Sequence, residues 1–152
     1  MSAQLVCVIC VKGTRMTFKR DLALGISIEK QYLEKLQKKY PLATLVNADK
    51  RWDIFVPELD VGVEVKYIPQ STAYGNVVIE IEMYNKPSGL MSTEAAYWVF
   101  YDDKEWVTIT PEKIKECITY LDLKPKEFIG KGDTVKKKAF LVDKKSLLSY
   151  RE

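Results

Sequence analysis

Apolar positions change their spacing several times along the chain, and each change marks an element. Residues 4–11 read as a strand, LVCVICV being a continuous apolar run of the kind a buried strand shows, and Met16 and Phe18, past the polar turn Lys12 to Thr14, suggest a return strand. From Ile26 to Tyr40 the positions Ile28, Tyr32, Leu33 and Leu36 recur at helical spacing, with Ser27 as N-cap and Pro41 as stop. Leu42 to Val46 is a short apolar strand, and the charged stretch NADKRW leads to another at Asp53 to Val56. Val61 to Tyr67 and Val77 to Tyr84 follow as strands on either side of a polar loop, and NKPSG is turn chemistry. Ser92 or Thr93 then caps a short helix, TEAAYW, with Glu94 in its first turn, where a carboxylate suits the helix dipole. Trp98 to Tyr101 and Trp106 to Ile109 are strands around the turn DDK, and Pro111 opens a helix with Ile114, Ile118 and Leu121 on one side. The tail alternates lysines with FLV and LL, which predicts a last strand and a short helix packed on the domain.

This order is an α/β pattern with a mixed sheet. At 152 residues it predicts one domain, 1–152, able to bury ~70% of its unfolded surface without staples. A hydrophobic fraction of 47% and a charged fraction of 30% are those of a globular protein. No run approaches the ~18 apolar residues of a membrane span, and the N-terminus has neither a basic n-region nor a small-residue cleavage site. The expectation is an intracellular protein with no membrane partner.

Net charge is only +3, but its distribution is uneven. Residues 124–145 are dense in lysine, and Lys35, Lys38, Lys39, Lys50 and Arg51 form a second set. Such clusters either track a phosphate backbone or simply keep a surface solvated. Cys7 and Cys10 have CxxC spacing, yet three apart on a strand they face opposite sides, and the chain has no histidine. Zinc is therefore not expected, and neither is any chemistry that needs an imidazole. The acid–base groups must be Asp, Glu, Lys, Tyr or Cys.

The candidate chemistry lies in the hairpin from Asp53 to Lys66. If Pro57 to Asp60 form a four-residue loop, 56 pairs with 61, 55 with 62, 54 with 63 and 53 with 64. Asp53 then lies across from Glu64, and Lys66 shares the face of Glu64 because positions two apart on a strand point the same way. Ordinary cross-strand charge pairing on an exposed face accounts for Lys66, but not for an Asp opposite a Glu. Facing carboxylates repel, and a divalent cation between them removes the penalty. Carboxylate oxygens suit Mg²⁺, which also accepts substrate phosphate oxygens, and a neighbouring lysine can orient a metal-bound water. The alternation VVIEIEM puts Glu80 and Glu82 on one face; were that strand to continue the meander, one of them would supply a further metal ligand beside Glu64. Otherwise it is an exposed outer strand.

Asp53, followed on the next strand by Glu64, Val65 and Lys66, resembles the signature of the PD-(D/E)XK nuclease superfamily, which includes restriction endonucleases, archaeal Holliday-junction resolvases and phage recombination nucleases. The resemblance implies a restriction-endonuclease-like αβββαβ core, here residues 20–110, with a central mixed sheet flanked by helices, one extra strand at 77–84 and a C-terminal extension. GISIE, Gly25 to Glu29, is similar to the GxxxE that opens the first core helix in resolvases. By resemblance Asp53 and Glu64 bind Mg²⁺, with Mn²⁺ as substitute, Val65 adds its carbonyl, Lys66 assists the water, and Glu29 is an outer group on the metal side. Trp52 stands where the tighter motif has proline, and TEAAYW lacks the glutamine of an exonuclease element. NKPSGLMSTEAAYW is similar to stretches of phage-encoded nuclease-like proteins, which makes a viral source attractive. The expected function is a metal-dependent DNA endonuclease acting on branched or duplex DNA, for which a homodimer would be natural. The alternatives are a non-catalytic DNA-binding or regulatory module on a nuclease-like scaffold, and a protein-interaction domain with a lysine-rich surface.

Overall fold

The computed structural model describes residues 17–46, 51–69, 75–129 and 135–152, with side chains from residue 23 onward. The strand expected at 4–11 and Met16 of the return strand lie outside the described residues. Phe18, expected on that return strand, is instead in the first helix, α1, Thr17–Gln37. Lys, Arg, Leu and Ala in TFKRDLAL are good helix formers, so the helix runs through Ser27, which accepts from Gln31 Nε2 at 3.5 Å within it and is not a cap.

Five strands build the first sheet: β1 Thr44–Leu45, β2 Ile54–Val56, β3 Val61–Tyr67, β6 Tyr97–Tyr101 and β7 Trp106–Ile109. They lie in that order, antiparallel from β1 to β3, parallel between β3 and β6, and antiparallel again between β6 and β7. The sheet is therefore mixed, as the element order predicts. Residues 62–67 of β3 are buried on both faces. Val63, Val65 and Tyr67 pack with Ile28 and Tyr32 of α1, while Trp98, Phe100, Val107 and Ile109 form the core on the opposite face.

The strand after β3 does not continue the meander. β4, Asn76–Met83, enters a second antiparallel sheet in the order β5-β4-β9-β8, with β5 Lys86–Pro87, β8 Lys126–Ile129 and β9 Lys136–Asp143. The side of β3 that a meander would use is already taken by β6, from Val63 opposite Tyr97 to Tyr67 opposite Tyr101. Val77 and Ile79 find their apolar partners in Val142 and Phe140 of β9 instead.

The helix expected at TEAAYW is absent. A single 3₁₀ turn at Gly89–Met91 is followed by chain without regular secondary structure, and β6 begins at Tyr97. The path taken instead lets Ala96 N–H donate to Gly62 O at 2.9 Å and buries Leu90 and Ala95, tertiary contacts that outweigh the local helix signal. The later helices follow the reading: α2, Pro111–Tyr120, has Pro at its start and Thr110 Oγ1 accepting from Lys113 N–H, and α3, Lys144–Leu148, is capped by Asp143. Among the described residues no helix is long and apolar enough to cross a membrane.

Candidate functional site

The β2–β3 hairpin has the expected register, with Ile54 opposite Val63, Phe55 opposite Gly62 and Val56 opposite Val61. Asp53 N–H still donates to Val63 O at 3.0 Å, but one step further the strands part. The N–H of Val65 then finds the Asp53 carboxylate, Oδ2, at 2.9 Å where a main-chain carbonyl would otherwise stand. Because a strand residue directs its N–H and C=O to the same neighbour, the Val65 carbonyl also points into this fork. Asp53 thus lies in the opening between the two strands.

From the α1 face comes Glu29, next to core residue Ile28, and it hydrogen-bonds to Asp53. Asp53 is in turn hydrogen-bonded to Glu64, whose strand position places it on the face opposite α1. Lys66 acts electrostatically on both Glu29 and Asp53. Its ammonium lies 4.9 Å over the Trp98 ring. The four groups are deeply buried: Glu29 is 4% exposed, Lys66 6%, Asp53 and Glu64 7% each.

Burial shapes the electrostatics. Loss of solvent pushes the Glu29 carboxyl up, and the charge of Glu64 adds to this, while the Asp53 hydrogen bond and Lys66 oppose it. Asp53 is also pushed up, mainly by burial and further by the charge of Glu29, against the Glu64 hydrogen bond, the Val65 N–H and Lys66. Three carboxylates against one ammonium leave two negative charges in a nearly solvent-free place, which is costly. A hydrogen bond between two carboxyl groups requires a proton on one of them, so protons meet part of that charge. Among the described residues no group of three or more His, Cys, Asp or Glu side chains is arranged to hold a metal ion. The donors are nonetheless all hard oxygens, the set that suits Mg²⁺ rather than zinc or copper.

Glu80 and Glu82 are elsewhere. Both lie on β4 of the second sheet, where Ser88 Oγ donates to Glu80 Oε2 at 2.9 Å and Glu82 pairs with Lys138 at 3.5 Å, so neither stands beside Glu64 as a continued meander would place it. Glu80 Oε1 is buried without a hydrogen-bond partner.

Two features of the site were not legible as such. Trp52, in the place of the motif proline, lies over Gly62, whose added Cβ would stand 2.1 Å from the ring, and stacks on Phe55 at 5.6 Å between centroids. The Arg51 guanidinium lies over the same indole at 4.4 Å. This packing fixes the chain immediately ahead of Asp53 without a proline. The second feature is Thr93, which is not a helix cap: its Oγ1 accepts from Ala95 N–H at 3.2 Å and from Trp98 Nε1–H at 3.1 Å. A threonine five residues before a tryptophan carries no sequence signal for that contact.

No protein-family model, no curated protein and no solved structure matches this chain.

Proposed function

We propose that the chain is a Mg²⁺-dependent DNA endonuclease of the PD-(D/E)XK kind. The observation that carries this reading is the convergence of Glu29, Asp53, Glu64 and Lys66 on the fork where β2 leaves β3, three buried carboxyl groups against one ammonium, a set whose ionisation a divalent cation would favour. The sheet order β1-β2-β3-β6 with a parallel β3/β6 pair, preceded by α1, supports a restriction-endonuclease-like core in which the β4–β5 hairpin and a 3₁₀ turn replace the crossover helix.

In this reading Asp53, Glu64 and the Val65 carbonyl hold Mg²⁺, or Mn²⁺ in its place, and Glu29 is an outer group. The cation supplies a water of lowered pKa and charge neutralisation at the phosphate. Glu29 keeps Asp53 oriented through their hydrogen bond, and the Val65 N–H holds the other side of that carboxylate. Lys66 stabilises the negative charge that grows on the phosphate oxygens as water attacks phosphorus. DNA is the substrate, with lysine-rich surface as its electrostatic track, and two copies of the chain would cut two strands.

The burial of all four site residues favours a second reading, a DNA-binding or regulatory module on the same scaffold with no catalysis. Purified protein incubated with supercoiled plasmid, linear duplex and a four-way junction, in Mg²⁺, Mn²⁺ or EDTA, separates the two. Metal-dependent cutting that Glu64→Ala abolishes supports the nuclease. DNA retention without cutting, together with no calorimetric binding of either cation, overturns it in favour of the module.

A further inference from the structure

Lys66 carries a flexible four-carbon stem, so an ammonium used at the fork has to be aimed. Parallel pairing sets Trp98 opposite Glu64 and Phe100 opposite Lys66. The Lys66 ammonium nevertheless lies over the Trp98 ring, so the side chain is drawn back from its own level to that of Glu64. The indole cannot swing away. It is 1% exposed, its N–H is held by Thr93 Oγ1, and Ala96 N–H ties the same segment to Gly62 of β3, two residues ahead of Glu64. A cation over a tryptophan face is attracted by the ring quadrupole, most strongly where solvent is excluded.

We infer that Trp98 is a positioning residue, whose indole face holds the Lys66 ammonium level with Glu64 and Asp53, and that Thr93 fixes the indole in that role. The catalytic consequence rests on the nuclease reading; the placement of the ammonium does not. The segment from Thr93 to Trp98 thereby becomes part of the site although none of its side chains is a metal-side group.

The test uses the full chain free of metal and follows the Lys66 ε-methylene protons by NMR, assigned by their loss in Lys66→Arg. Ring current from Trp98 should move them upfield of the other lysines; Trp98→Phe should retain part of the shift, and Trp98→Leu should remove it. Thr93→Val, which keeps shape but removes the indole acceptor, should reduce the shift and guards against a Trp98→Leu variant that does not fold. In cleavage assays kcat should fall roughly 30-fold in Trp98→Leu, the change a desolvated cation–π contact represents, with KM and calorimetric Mg²⁺ affinity unchanged and most of kcat recovered in Trp98→Phe. Lys66 protons at ordinary lysine positions in the wild type overturn the inference, as does a folded Trp98→Leu with wild-type kcat. A wild type that cuts nothing but shows the upfield shift defeats the nuclease reading and leaves the placement standing.

Discussion

Among the described residues, acidic side chains meet lysines both on the second sheet and at the fork, and the two places follow opposite rules. On the second sheet the pairing is one to one: Glu82 with Lys138 at 3.5 Å and Glu127 with Lys136 at 2.9 Å, on partly or fully exposed positions. At the fork three carboxylates face a single lysine, all of them buried. Exposed pairs are screened and close to neutral in energy, so the second sheet would lose little without them. A buried, unbalanced cluster raises its own energy and has to recruit positive charge. The fork is thus a place where burial and charge oppose stability, which is the contrast the proposed metal reading rests on.

The largest expected effect tests that contrast directly. Glu64→Ala should lower metal-dependent nicking of supercoiled plasmid on the order of 10³-fold, as expected when several kcal/mol of transition-state charge stabilisation is lost. Circular dichroism should stay unchanged, because Asp53 keeps the Val65 N–H and Glu29 as partners when the Glu64 carboxyl is removed. Retained nicking in Glu64→Ala would erase the difference between the two regions.

Proton linkage gives the next effect. Glu29 and Asp53 have folded-state pKa values above their ordinary 4.5 and 3.8, burial being the main cause for both. The folded state therefore binds protons more tightly than the unfolded state does. Their contribution to stability is fully present below those ordinary values and is lost as pH rises through the raised folded values. Thermal melts of metal-free protein should show this decline, Asp53→Asn should flatten it, and the gain in Tm on adding Mg²⁺ should grow with pH as the cation replaces the departing protons. A Mg²⁺ gain that is larger at acid pH would contradict the sign.

Local patterns made the fork legible and left its supports hidden. A four-residue turn and strand alternation are enough to set Asp53 near Glu64; the observed register matches the three expected pairs from Val56–Val61 to Ile54–Val63, and the strands part before Asp53 and Glu64 can pair. The course of β4 depends on β9, some sixty residues later, and on β6 having occupied the side of β3. No local signal contains either fact. Thr93 and Glu94 look like a helix start by residue type, yet tertiary contacts of Leu90, Ala95 and Ala96 outweigh that propensity. Trp52 over Gly62 is a cross-strand contact of the same hidden kind, and it predicts the third effect. Gly62→Ala should destabilise the protein by about 1–3 kcal/mol in urea melts, the usual cost of overpacking, because the new methyl meets the indole. It should also lower cleavage by shifting the chain ahead of Asp53, an effect that a conservative change far from the fork would not produce.

The smallest expected effect sharpens the comparison from the other side. Glu82→Gln removes the carboxylate facing Lys138 but keeps the length of the side chain, and a surface pair of this kind contributes at most about 1 kcal/mol. The urea midpoint should move by less than about 0.5 kcal/mol in equivalent stability, and Mg²⁺ affinity should not change, since Glu82 belongs to the sheet that lacks the fork. Asp53→Asn, an equally small change in shape, should by contrast alter both the pH profile and the affinity for Mg²⁺. If the two amide substitutions behaved alike, charge excess and burial would not be what distinguishes the fork, and the metal reading would lose its physical basis. If only Asp53→Asn responds, the three-to-one imbalance is the property that matters, since the chemical change, carboxylate to amide, is the same in both.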